Sequence, residues 1–244
     1  MTFDIRTFLI VFSLSLIVLI GSLTVYSVTS IDIYYFFRFL LISIFVIITV
    51  TIIFNQINLN RILSFAWVLF LLNIIVVLSV EFFGSEIKGS KRWIDFGFLS
   101  LQPSEFMKIT FALFTIQYLR FYSFKFNNFR TLFLISILFL SSIPIIIQPD
   151  LGTGIVYILT GIMLLYICGA NKFYFIGMGL SAALLSPIIY NFGLTEYQKS
   201  RIISWFSSDQ TLTEKWNILQ SEISIGSGGL FGEGFLNSKQ NTFN

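Results

Sequence analysis

Four stretches of the chain hold side chains able to do chemistry. The first is Lys91-Arg92-Trp93-Ile94-Asp95, followed by Gln102-Pro103-Ser104-Glu105-Phe106-Met107-Lys108. Pro103 suits the first position of a helix, where its missing N–H would be unpaired anyway. Glu105 then falls in the first turn, where the helix dipole favours an anion, and Lys108 follows at i+3 on the same face. A capped helix with a local ion pair accounts for Glu105. Lys108 lies about 4–5 Å deeper at 1.5 Å per residue, where an ammonium must pair, snorkel or face water. A site role for this cluster therefore stands beside the structural one.

The second stretch is Gln148-Pro149-Asp150-Leu151-Gly152-Thr153-Gly154. Pro149 ends one helix and Asp150 can cap the next. Taken singly, it reads as a tight turn between helices. The third runs from Gln220-Ser221 through Gly226, Gly228, Gly229, Gly232 and Gly234. Glycine-rich loops can cradle phosphate through backbone N–H groups. This one has neither the Gly-Lys-Ser/Thr of a P-loop nor G-x-G-x-x-G spacing. A flexible turn, or loop backbone packed on helices, is the plainer alternative. The fourth is Asp209, a lone acid between Arg201 and the glycines.

Whatever these groups do, histidine and disulfide chemistry is closed to them. The 244 residues include no His and a single Cys, Cys168. That excludes a Ser-His-Asp triad, a Cys-His pair, a His-bound metal, an intrachain disulfide and a zinc ribbon. The net charge of +3 is scattered, so no nucleic-acid partner is expected. Chemistry is left to carboxylates, Lys/Arg, hydroxyls, amides and backbone groups.

The composition also says what must position them. The chain is 56% apolar and 11% charged, against about 45–50% and 25% in soluble domains. Too little polar surface remains to coat a water-soluble fold. The reading is an all-α polytopic membrane protein. Seven apolar runs are long enough to span: 8–28, 36–54, 62–80, 104–121, 131–148, 153–169 and 173–191. They make a transmembrane domain over 1–191, and 192–244 form a large loop. With the N-terminus inside, the inner segments hold Arg6, Arg61, Arg120, Lys125, Arg130 and Lys172 against one acid, Asp4. This follows the positive-inside rule. Segments 81–103 and 192–244, and the Asp150 turn, then share the outer face. The first run is too long for a cleavable signal peptide and lacks a small-residue cleavage site.

Lys91-Arg92-Trp93-Ile94, Gln102-Pro103-Ser104-Glu105-Phe106 with Lys108, Pro149-Asp150-Leu151-Gly152-Thr153, and Gln220-Ser221 with the glycines after it occur in this order. Together they resemble the SEDS family, the shape, elongation, division and sporulation proteins, of which RodA and FtsW are the principal members. The glycine stretch and Ser238-Lys239-Gln240 look more like RodA. The resemblance runs from the first span to the last residues. It implies about seven transmembrane helices of a normally ten-helix fold. A later Pro-Glu…Thr-Asp motif is also expected in the family. The chain, stopping at Asn244 inside the outer loop, is expected to be a truncated form.

What the resemblance implies is a peptidoglycan glycosyltransferase of cell-wall elongation, located in the bacterial cytoplasmic membrane. It would join lipid II units outside that membrane. A sugar hydroxyl attacks the anomeric carbon of a lipid-linked donor, and the lipid pyrophosphate leaves. The family's catalytic Asp maps onto Asp209, with one residue of gap before Gln220. Substrate-binding positions carried over are Lys91, Arg92, Gln102, Glu105, Lys108, Asp150, Gln220, Ser221, Gly228 and Gly229. No tightly bound cofactor is implied; a divalent cation, Mg or Mn, would suit the pyrophosphate. Implied partners are lipid II, membrane lipids and a class B penicillin-binding protein, the transpeptidase. A non-catalytic scaffold for that transpeptidase, or a flippase for the lipid-linked precursor, are the alternatives. Transporters place their sites near the midplane, whereas these polar groups gather at one face.

Overall fold

A computed structural model describes residues 5–28, 33–56, 58–87, 90–97, 99–148, 150–194, 196–206 and 213–229, with Gly232 and Gly234. Ten α-helices lie among the described residues: α1 (Ile5–Val28), α2 (Ile33–Gln56), α3 (Leu59–Ser64), α4 (Ala66–Phe83), α5 (Pro103–Phe121), α6 (Asn128–Ile147), α7 (Leu151–Ile167), α8 (Lys172–Ile188), α9 (Glu196–Phe206) and α10 (Thr213–Gly228). Three short strands, β1 (Ser85–Ile87), β2 (Ser90–Asp95) and β3 (Ser100–Leu101), join α4 to α5 as an antiparallel sheet in that order. The chain divides into two compact units. One takes residues up to 57 and from 194 onward, the other Asn58–Gly193.

The helix ends follow from local chemistry. Side-chain oxygens of Asn127, Asp150 and Asn171 accept from the first-turn N–H groups of Arg130, Thr153 and Phe173. Such caps satisfy donors that have no partner inside the helix. Pro103 opens α5 as expected, and Gln102 before it is extended. Pro144 lies inside α6, a position tolerated where neighbouring helices surround the backbone. Pro187 lies near the end of α8, which passes into a π-helical turn at Ile189–Gly193.

Within Asn58–Gly193, α4 to α7 share one core of Phe70, Val77, Met107, Phe111, Leu138, Ile145 and Tyr157. Tyr157 is buried whole, its hydroxyl 2.6 Å from Ser141 Oγ and its ring edge-on to Phe111. Gly161 lets α6 and α7 approach closely, because a Cβ there would overlap the Leu138 side chain. A second cluster of Leu119, Leu134, Leu165 and Ala170 closes the other end of these helices. In the other unit α1 packs on α2, with Tyr26 edge-on to Phe36. Outward-facing Ile17, Phe45, Ile75 and Leu184 are exposed, as expected where hydrocarbon rather than water is the solvent.

Five helices among the described residues are long and apolar enough to cross a membrane: the first two, α4, α6, and α8 with the π-helical turn that extends it. Two of the seven runs differ. α7 is apolar but only 17 residues long. α5 has 19 residues and carries Glu105, Lys108 and Arg120. The 192–244 segment contains α9 and α10.

Candidate functional site

Asp150 is the centre of a polar node within the Asn58–Gly193 unit. Its Oδ1 caps α7 by accepting from Thr153 N–H (3.3 Å) and lies 3.3 Å from an Arg92 guanidinium nitrogen. Its Oδ2 accepts from Gln102 Nε2 at 2.6 Å. The Asp150 side chain is only 6% exposed. A carboxylate so buried needs a counter-charge and donors for its lone pairs, and it has both. The α7 dipole adds to them at this helix N-terminus.

Three elements deliver the partners. β2 carries Arg92, and its side chain goes to Asp150 while the preceding Lys91 is exposed; successive strand residues point to opposite faces. Gln102 is the N-cap of α5 but makes no side-chain cap bond there, so its amide is available to Asp150. The buried Gln148 at the end of α6 donates to the Val77 carbonyl of α4 at 2.6 Å. Arg92 Nε is buried and has no hydrogen-bond partner among the described residues. It is a leftover donor at the edge of the node.

One turn along α5, Lys108 Nζ donates to Glu105 Oε2 at 2.7 Å. Glu105 is half-exposed and Lys108 more buried, at 51% and 24% of their side-chain surface. The pair is thus the local ion pair expected from i,i+3 spacing. Both side chains keep exposed surface, and an ammonium so placed can donate to an anion other than Glu105.

A residue that sequence reasoning passed over underlies this turn. Asn73 sits midway along α4. In the amide orientation that satisfies its surroundings, it donates to the Pro103 carbonyl (3.2 Å) and accepts from Met107 N–H (3.0 Å) and Thr110 Oγ1 (3.1 Å). The first turn of α5 is thereby tied to its neighbour. The available signal was one amide in an otherwise apolar run, since such groups in membrane helices bond across to partners.

The remaining candidates belong to the other unit. Gln220, Ser221 and Gly228 lie within α10, and Gly229 follows it. The glycine stretch is therefore helical as far as Gly228, where backbone N–H groups bond four residues back. A backbone N–H cradle for phosphate does not form over that part. Gly229, Gly232 and Gly234, beyond the helix, adopt positive φ (52°, 74° and 96°). Asp209 lies outside the described residues.

The node thus joins the first and second sequence stretches, Arg92 and Gln102 with Asp150 and Thr153, at the end of the bundle that also carries Glu105 and Lys108. Comparison with known proteins gives the chain a family. The sequence model of a family described as cell cycle protein, covering FtsW, RodA and SpoVE, matches residues 1–244. The peptidoglycan glycosyltransferase MrdB of Escherichia coli K12 is 32% identical over 174 residues, 70% of this chain and 47% of that protein. Stage V sporulation protein E of Bacillus subtilis is 34% identical over 173 residues, 70% and 47% of the two chains. A probable FtsW of Buchnera aphidicola from Acyrthosiphon pisum is 34% identical over 214 residues, 86% and 51%. The chain spans about half the length of these relatives. Among solved structures, a chain of a peptidoglycan synthase complex that coordinates polymerization and crosslinking superposes with a TM-score of 0.71 at 23% identity, over 94% of this chain and 67% of that one. A rod shape determining protein RodA variant from Thermus thermophilus gives 0.61 at 21%, over 75% and 60%. The chain is a multi-pass membrane protein and belongs to the FtsW/RodA/SpoVE family, the SEDS proteins.

Proposed function

We propose that the protein is a peptidoglycan glycosyltransferase that polymerises lipid II during cell-wall elongation. The observation that carries this reading is the polar node itself. Cations and a capped carboxylate meet at one end of an apolar bundle, in a chain whose relatives are named for that activity. In the reaction a sugar hydroxyl attacks the anomeric carbon of the lipid-linked donor. The bond from that carbon to the pyrophosphate oxygen breaks, and the hydroxyl proton goes to a base. Asp209 is the base in this reading, since a positioned carboxylate can take such a proton. Lys91, Arg92 and Lys108 would stabilise the departing pyrophosphate. Asp150 and Gln102 would hold Arg92 in place. Gln220, Ser221, Gly228 and Gly229 are the further substrate-binding positions in this reading.

A resident divalent cation does not fit the described residues. No group of three His, Cys, Asp or Glu that could hold a metal occurs among them. Asp150 is engaged by Arg92, Gln102 and Thr153, and Glu105 by Lys108. The charge on pyrophosphate therefore falls to Lys and Arg in this mechanism. The protein would act in the bacterial cytoplasmic membrane with the N-terminus inside and the node outside. It would work beside a class B penicillin-binding protein that crosslinks the strands.

The test is to reconstitute the purified chain with lipid II and resolve glycan products by gel. Polymer is expected, and Asp209→Asn should abolish it with the protein still folded. An equally active Asp209→Asn protein would remove Asp209 as the base. The alternative reading is a non-catalytic scaffold for the transpeptidase. A scaffold that binds the transpeptidase without polymerising would co-purify with it and give no product.

A further inference from the structure

At the end of the Asn58–Gly193 unit opposite the node, cations collect without acids. Ala170 packs with Leu119, Leu134 and Leu165, which brings the end of α5, the start of α6 and the start of α8 together. These carry Arg120, Lys125, Arg130 and Lys172. Arg61 joins them, since Arg120 bonds its neighbour Asn60 at 2.7 Å. Arg130 lies over the Tyr122 ring at 4.0 Å and donates to the Lys125 carbonyl. None of the five forms an ion pair among the described residues. The described acids of this unit, Glu81, Glu86, Asp95, Glu105 and Asp150, all lie at or beside the sheet and node.

A groove of about 510 Å³ opens beside this basic end, lined by Leu159, Ile162, Met163 and Tyr166 of α7 and by Phe175 of α8. It exists because α8 leaves α7. No residue of α8 is buried, and a Cβ at Gly177 or Gly179 would meet nothing within 4 Å. The lining from Leu159 to Tyr166 covers about 10 Å of helix, at 1.5 Å per residue. Lys172 stands one turn before Phe175, on the same face of α8 at i,i+3. A single apolar stripe is too narrow a seat for a peptide helix about 10 Å across. It suits one hydrocarbon chain, and Lys172, its Nζ 5.9 Å from the Phe173 ring centre, lies one turn from the lining Phe175.

We propose that this groove and Lys172 bind one anionic phospholipid, its acyl chain along α7 and its phosphate at Lys172, with Lys125 and Arg61 adding to the local field. A membrane-surface cation contributes about fivefold in affinity for an anionic lipid.

The test uses the full chain in vesicles of phosphatidylcholine containing spin-labelled phosphatidylglycerol or spin-labelled phosphatidylcholine, measuring the motionally restricted fraction by electron paramagnetic resonance. Phosphatidylglycerol should be restricted about fivefold more than phosphatidylcholine. Lys172→Gln should remove most of that preference. Met163→Trp, at a position 67% exposed and so harmless to folding, should fill the groove and reduce the restricted fraction. Equal restriction of the two lipids overturns the proposal. So does a preference that survives both variants, because the charge would then act without this site. Competition by glycerol phosphate or an acidic peptide as strong as by the lipid would make the basic end a soluble-anion or protein site, and overturns it too.

Discussion

Removing the Asp150 carboxylate takes away a helix cap and leaves a half-buried guanidinium without its counter-charge. Each loss has a known scale: about 0.5–2 kcal/mol for a cap, and about 3–5 for one partner of a fully buried pair. Arg92 keeps 29% of its side chain exposed, so water recovers part of the second. Asp150→Ala is therefore expected to cost about 2–4 kcal/mol, read by unfolding in detergent. Asp150→Asn, which can still cap Thr153, should cost less than the alanine. A smaller effect belongs to Asn73. Its bond to Thr110 crosses between membrane helices, where such bonds average about 0.6 and reach about 1.7 kcal/mol. Without it the Thr110 hydroxyl turns its single proton to the Phe106 carbonyl, 3.1 Å away, so a double-mutant cycle of Asn73→Ala and Thr110→Ala should yield a coupling within that range. A coupling of zero would mean that the Thr110 hydroxyl takes no part in holding Asn73, leaving the bonds to Pro103 and Met107 to carry the tie.

At the scale of elements, the active end is built by helix termini meeting a small sheet, and the close approach of α6 and α7 sets where Asp150 can sit. Gly161 permits that approach. Gly161→Ala should force Leu138, which is fully buried, to shift, and overpacking of this kind costs about 1–3 kcal/mol. Pairing it with Leu138→Ala should return part of that loss. Unfolding of the two single variants and the double variant checks the point, and no rescue would place the strain elsewhere. The sequence made some of this legible and not the rest. Pro103 at N1, Asp150 as a cap and the Glu105–Lys108 pair are short-range events, decided by residues within one turn. The approach of Arg92 and Gln102 to Asp150 joins residues 58 and 48 positions apart, which no local period encodes. An amphipathic stretch near 215–225 was legible, but not that the helix runs on to Gly228, because glycines suggest a loop. Asn73 was hidden for the opposite reason: a single amide does not interrupt an apolar run.

The Asn58–Gly193 unit sorts its charges by end, and that sorting predicts its direction in the membrane. Arg61, Arg120, Lys125, Arg130 and Lys172 collect at one end of it. In the Asn58–Gly193 unit the described acids gather at the sheet and the node. Lys91 and Arg92 lie there as well, but Arg92 is held by Asp150 and so adds little to the balance. Lysines and arginines in short loops are retained on the cytoplasmic side, so the turn around Lys125 should be inside and the hairpin around Phe96 outside. Both positions are exposed, and Cys168 is the single native cysteine. In a Cys168→Ser background, Phe96→Cys in intact cells or spheroplasts should react with a membrane-impermeant maleimide. Lys125→Cys should react only after lysis. The reverse pattern would put the node in the cytoplasm, out of reach of any acceptor strand growing outside the membrane, and would remove the polymerase reading along with the orientation.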